Sequence, residues 1–111
     1  KFILNGAKIL TNHTNDAWFF DSYAPYQHFV MNIFRAIENR KNVIVSANTG
    51  LSAIIDSAGN IINKTNINEE VSFIGDAYQN DIVTVYDQIG NMFSYVCMFF
   101  SIFIIVAVFI I

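Results

Sequence analysis

Few groups in this chain are able to make or break bonds. There is one thiol, Cys97, and there are two imidazoles, His13 and His28. A thiol attacks as its thiolate, and apolar surroundings disfavour that charge. Cys97 lies inside a run, residues 92–111, that is apolar apart from Ser94, Ser101 and the Tyr95 hydroxyl. It is therefore not read as a nucleophile. A single cysteine also allows no disulfide framework and no Cys-based metal site. Neither histidine forms a ligand spacing with a carboxylate pair, so each reads as a hydrogen-bonded structural residue. No metal or cofactor is expected. Binding chemistry is what remains. Asn15 and Asp16 sit in a polar loop, residues 12–24, around Trp18, Phe19 and Phe20. Polar turn residues beside large aromatics mark the rim of a pocket. The plainer alternative is that Trp18 caps the core while Asn15 and Asp16 close an Asx turn. A second polar stretch, Asn48, Thr49 and Ser52, surrounds Gly50, read as a turn that a side chain would block. Arg35 and Glu38 are three apart and can pair along a helix. They serve either as a solvated pair or as a brace against a neighbouring element.

These residues need a scaffold, and the sequence predicts one. Residues 7–10 read as a short buried strand with its sheet partners outside this sequence. Residues 22–39 read as an amphipathic helix. Tyr26, Phe29, Val30, Ile33, Phe34 and Ile37 recur at the spacing of one buried face. Pro25 suits the first turn, and Ser22 or Asp21 can cap it. Arg40 and Lys41 fall where the helix dipole favours positive charge. Residues 43–46 read as a buried strand and residues 51–56 as another. The turn Asp56-Ser57-Ala58-Gly59-Asn60 folds the latter into a hairpin with Ile61 and Ile62. Residues 71–78 alternate in part and read as a more exposed strand, with a further short strand over residues 82–86.

Composition bounds the rest. The chain has 111 residues, room for one core. Hydrophobic residues make up 54% and charged residues only 14%, and the apolar tail carries much of the excess. The net charge of -3 offers no basic face for nucleic acid. Twenty apolar residues in a helix span about 30 Å, the hydrocarbon thickness of a bilayer. Residues 92–111 thus read as a transmembrane helix, with Tyr95 as an interfacial aromatic.

Several motifs carry a resemblance. They run Asn15-Asp16-Ala17-Trp18-Phe19, then Gln27-His28, then Arg35-Ala36-Ile37-Glu38-Asn39. Asn48-Thr49-Gly50-Leu51-Ser52-Ala53-Ile54-Ile55-Asp56 and Gly59 follow. This order resembles the C-terminal half of the nitrilase (carbon–nitrogen hydrolase) domain. The first motif, followed by a span, is similar to the bacterial apolipoprotein N-acyltransferases in particular. The resemblance covers residues 6–90. It implies an α+β fold: the C-terminal part of a nitrilase-like α-β-β-α sandwich over residues 1–90, then one transmembrane helix over 91–111. It also implies a multi-pass enzyme of the bacterial inner membrane with a periplasmic globular part. Its partners would be a phospholipid acyl donor, an apolipoprotein acceptor and the membrane.

In that family a Cys-Glu-Lys triad takes the acyl chain as a thioester. It then passes the chain to the α-amine of a diacylglyceryl cysteine. A thiolate, a carboxylate base and an ammonium beside the oxyanion suit such a transfer. The Cys-Tyr-Glu motif that carries the nucleophile is not among these 111 residues, and Lys8 and the glutamates here match none of the catalytic positions. The resemblance places those motifs upstream, in a preceding part of the same enzyme. It leaves Asn15, Asp16, Trp18, Phe19, Asn48, Thr49 and Ser52 as a substrate-pocket wall and Arg35 with Glu38 as a structural helix pair. Phe20 departs from the Gly common at its position. Two other readings stay open: part of a nitrilase-family amidase fused to an anchor, and a non-catalytic or decayed anchored module.

Overall fold

A computed structural model of the chain describes residues 1–19 and 22–110. The centre is a strand–helix–strand unit. Strand β1 (Ile9–Thr14) leads through a short helical turn (Ala17–Phe19) into helix α1 (Ala24–Asn39), and the chain returns as β2 (Asn42–Ala47). β1 and β2 pair in parallel, from Ile9 opposite Asn42 to Thr14 opposite Ala47. A parallel pair needs such a crossover, and the helix supplies it. β3 (Ala53–Ile55) and β4 (Ile61–Lys64) then add antiparallel, giving the sheet order β1-β2-β3-β4.

One face of the sheet carries the core. Val43, Val45, Ala53 and Ile55 pack with Phe29 and Ala36 of α1 and with Leu51, while Leu10, Ile33 and Ile67 fill the margin. The alternate positions Ile44 and Ile54 belong to the other face, following the two-residue period of a strand. The turn from β3 to β4 is as expected. Asp56 Oδ1 accepts the N–H groups of Ala58 and Asn60, both at 2.8 Å, and Gly59 takes φ +89°. The Asn60 side-chain amide, more than any other group, holds the Asp56 carboxyl below its usual range.

Several expectations are corrected. β1 begins and ends later than residues 7–10, is half-buried at most, and has a sheet partner, β2, within this sequence. It extends through polar Thr11, Asn12, His13 and Thr14 because β2 offers a full parallel ladder and Asn12 finds a partner on α1. The helix buries Pro25, Phe29, Asn32 and Ala36, whereas Tyr26, Val30, Phe34 and Ile37 are exposed. Its apolar arc is wider than the sheet can cover. Among the described residues no side chain caps it: Tyr23 holds the N-cap position, and Ser22 Oγ accepts the Ala24 N–H at 3.3 Å. Capping by Asp21 falls outside the described residues, as does the departure at Phe20. Lys41, just beyond the helix, is buried and only 1% exposed.

Residues 71–78 and 82–86 are not strands. Residues 65–84 form an irregular strap, with Gly75 against the Ile54 side chain. Lys41 Nζ pins its far end by donating to Asn80 O (2.9 Å), Asn80 Oδ1 (2.7 Å) and Ile82 O (2.6 Å). Thr84 then starts helix α2 (Val85–Ile89) with a capping box. Its Oγ1 accepts the Asp87 N–H, and the Asp87 carboxylate accepts the Thr84 N–H. Thr84 Oγ1 also donates to Glu38 O at 2.7 Å, joining α2 to the end of α1. Helix α3 (Met92–Ile110) follows. None of its first 18 residues is buried by the rest of the chain, and 19 residues of helix measure about 28 Å.

Candidate functional site

The loop after β1 and the loop after β2 lie side by side because the two strands are parallel and in register to their last residues. Asn48 ties them together. Its Oδ1 accepts the Asp16 N–H at 3.1 Å and the Thr49 N–H at 2.8 Å, and its Nδ2 donates to Asn15 Oδ1 at 2.8 Å. Asn15 Oδ1 also accepts the Ala17 N–H at 3.1 Å, the Asx turn expected there. Asn15, Asp16, Asn48 and Thr49 thus form one cluster at the strand ends.

Asp16 is the buried member, 4% exposed. Its Oδ1 accepts Thr14 Oγ1 at 2.9 Å and lies 2.9 Å from His28 Nδ1. With the carboxylate as acceptor, the donor is the Nδ1–H tautomer of His28. Gly50 lies directly behind this carboxyl. A Cβ at Gly50 would come within 2.8 Å of Asp16 Cγ and 2.9 Å of Asp16 Cβ. Close approach, rather than an unusual turn, is what requires glycine at this position.

Ser52 is set apart from the cluster. Its Oγ accepts the Ala47 N–H at 3.0 Å, and its backbone N–H donates to Thr65 Oγ1 at 3.0 Å. It closes the elbow between β2 and β3 and ties that elbow to the start of the strap. Trp18 does not cap the core, since it is 78% exposed. Phe19 turns inward, its ring 5.7 Å from that of His28 at 65°. Arg35 lies two turns beyond His28 on α1 and makes no hydrogen bond to this cluster. It donates to Glu38 at 2.8 Å and to the Tyr86 hydroxyl of α2 at 3.2 Å. The Tyr86 bond is the main influence that raises its pKa.

Sequence reasoning missed Thr14, His28 and Gly50 as members of this cluster, and Asn12 and Asn32 beside it. Asn12 Nδ2 donates to Asn32 Oδ1 at 2.9 Å, and Asn32 is buried on the sheet side of α1. A signal was present. His28 and Asn32 are four apart, so they share one flank of the helix, and polar groups on a flank facing a strand need partners there. His28 also lines a cavity of about 330 Å³ with Leu10, Asn12, Met31, Asn32 and Arg35.

The arrangement is a prearranged polar corner with an aromatic edge, able to bind and orient. The site residues contain no thiol. An apolipoprotein N-acyltransferase of Geobacter metallireducens is 40% identical over 97 residues, covering 87% of this chain and 19% of that protein. Proteins of the same name from Rickettsia typhi and Rickettsia prowazekii are 40% and 39% identical, covering 77% and 86% of this chain. The chain spans 17% and 20% of their lengths, about a fifth in every case. The family model described as carbon-nitrogen hydrolase matches residues 2–85, the sheet, α1, the strap and the start of α2. By this match and by its nitrilase-like α+β fold, the chain belongs to the carbon–nitrogen hydrolase family.

Proposed function

We propose that this chain is the C-terminal part of a membrane-bound apolipoprotein N-acyltransferase. Residues 1–90 form part of its nitrilase-like domain, and residues 91–111 form a transmembrane helix. The enzyme moves an acyl chain from a phospholipid to the N-terminal amine of a diacylglyceryl-cysteine lipoprotein. It is a multi-pass protein of the bacterial inner membrane, with the globular part on the periplasmic side. Asn15, Asp16, Trp18, Phe19, Asn48, Thr49 and Ser52 line or support the substrate pocket. Arg35 and Glu38 brace α1 against the neck that leads to the span.

One observation carries this reading. A polar corner of the carbon–nitrogen hydrolase fold is joined, through a five-residue helix, to an exposed apolar helix of bilayer length. Such a helix is stable in hydrocarbon, where all its backbone bonds are internal. Its presence ties the domain to lipid, the source of the acyl group. The chain contributes wall and anchor, and the nucleophile comes from the preceding part of the same polypeptide.

The test is acyl transfer in membranes carrying the polypeptide in its native reading frame. A diacylated lipoprotein peptide serves as acceptor and mass spectrometry as readout. Gain of one fatty-acyl mass on the N-terminal amine is the expected result. Release of ammonia from a small amide, with no acylated peptide, would replace this reading with an amidase.

A further inference from the structure

Trp18 is a large apolar side chain left almost wholly in water, yet both of its neighbours in the loop are fixed. On one side Asp16 is buried, with its backbone N–H on Asn48 and its carboxylate on Thr14. On the other, the Phe19 N–H donates to Asp16 O at 3.1 Å, and Ser22 Oγ donates to Phe19 O at 2.6 Å. One side chain touches both ends of this short arc. The His28 imidazole bonds Asp16 through Nδ1 at 2.9 Å and meets the Phe19 ring at 5.7 Å. His28 belongs to the second turn of α1, so it fastens the loop to the element that packs on the sheet.

We propose that Asp16 and His28 form a positioning pair that clamps the loop and presents Trp18, already ordered, to the acyl chain of the phospholipid donor. This rests on the acyltransferase reading. The physical advantage is entropic. A tryptophan has two side-chain rotors, and on a fixed backbone little freedom is left to lose when an apolar ligand covers it. Gly50 completes the clamp, because a larger residue would push Asp16 forward and break its alignment with His28. His28 acts through Asp16 and Phe19 and touches no reacting atom.

The experiment compares His28→Ala, His28→Asn and His28→Gln in the membrane-embedded polypeptide. Phosphatidylethanolamine vesicles supply the donor, and kcat is separated from KM. An Asn amide places an N–H where Nδ1 stood, whereas Gln places one near Nε2. We expect Ala and Gln to raise KM for the vesicle donor about tenfold, with kcat within about twofold, and Asn to stay within about threefold of wild type. Trp18→Ala should give a similar KM rise, and adding His28→Ala to it should change little more. Wild-type KM in His28→Ala overturns the proposal, as does full additivity of the two substitutions. Rescue by Gln but not Asn does the same, since it assigns the work to Nε2. Failure of the wild-type protein to transfer an acyl chain sinks the acyltransferase reading instead. Partition of the variants onto the same vesicles then decides the clamp: weaker for Ala and Gln supports it, and equal for all overturns it.

Discussion

Replacing Lys41 by Met tests how the strap is held. The lysine stem is buried, and Met fills nearly the same volume with an apolar chain, so packing is largely kept. What changes is the tip. Three oxygens lose a charged donor, at 2.9, 2.7 and 2.6 Å. Asn80 Oδ1 still accepts the Ile82 N–H at 3.1 Å, so Asn80 O and Ile82 O are the two left without that partner. An unsatisfied buried acceptor costs about 1–3 kcal/mol, and these two carbonyls are only part-buried, giving a loss of about 2–4 kcal/mol. Burying the ammonium itself costs several kcal/mol in the wild type, and Met removes that cost, so the net lies toward the lower end. The strap has a cheaper response than unfolding the sheet: its far end can lift off and let water reach both carbonyls. The effect should therefore appear as local opening of about 2–3 kcal/mol, or about 30- to 150-fold in the opening constant. Limited proteolysis within residues 66–84 of the membrane-embedded protein reads that constant when reclosing is fast. Cleavage faster by at least tenfold, with the global melt little changed, is expected. A change under threefold would mean that the Lys41 contacts do not hold the strap, and the reasoning would fail.

Three further outcomes follow from other contacts. Gly50→Ala puts a methyl group against the buried Asp16 carboxyl, and should lower stability by about 1–3 kcal/mol, measured by denaturant melts, and, under the proposed function, cut acyl transfer. Arg40 ends α1 with φ 51°, a left-handed conformation natural to glycine. Arg40→Gly should therefore raise stability by up to about 1 kcal/mol in the same melts. Asp56 has a carboxyl pKa depressed in the folded state, so its contribution is present above the ordinary carboxylate pKa and is lost as pH falls through the folded value. Asp56→Asn should accordingly be less stable than wild type near pH 7, and the gap should close on acidification. A gap that stays constant with pH would remove the carboxylate from the account.

The sequence made the crossover unit legible because its signals are local. The three- and four-residue period set α1, an apolar run set β2, and Asp56 to Asn60 set the hairpin turn. The polar end of β1 was not legible, because Asn12 belongs in a strand only once Asn32 faces it across the helix. The alternation in residues 71–78 misled for a related reason. An alternating segment becomes a strand when a sheet edge accepts its hydrogen bonds, and this one is held by side chains instead. At the site, Asn15, Asp16 and Asn48 were readable as turn formers with polar neighbours. His28 reads as structural because it forms no ligand spacing with a carboxylate pair, and only the geometry joins it to its partner twelve residues away.

Helix α1 touches both functional ends of the domain. Its first turns hold the polar corner through His28, and its last turn holds the neck through Glu38 and Arg35. Sixteen helical residues make a rod of about 24 Å. With α3 embedded as proposed, that rod acts as a spacer. The separation between the corner and the neck is set by a count of residues in α1, and lengthening the rod by one turn would shift the corner by about 5 Å relative to the neck.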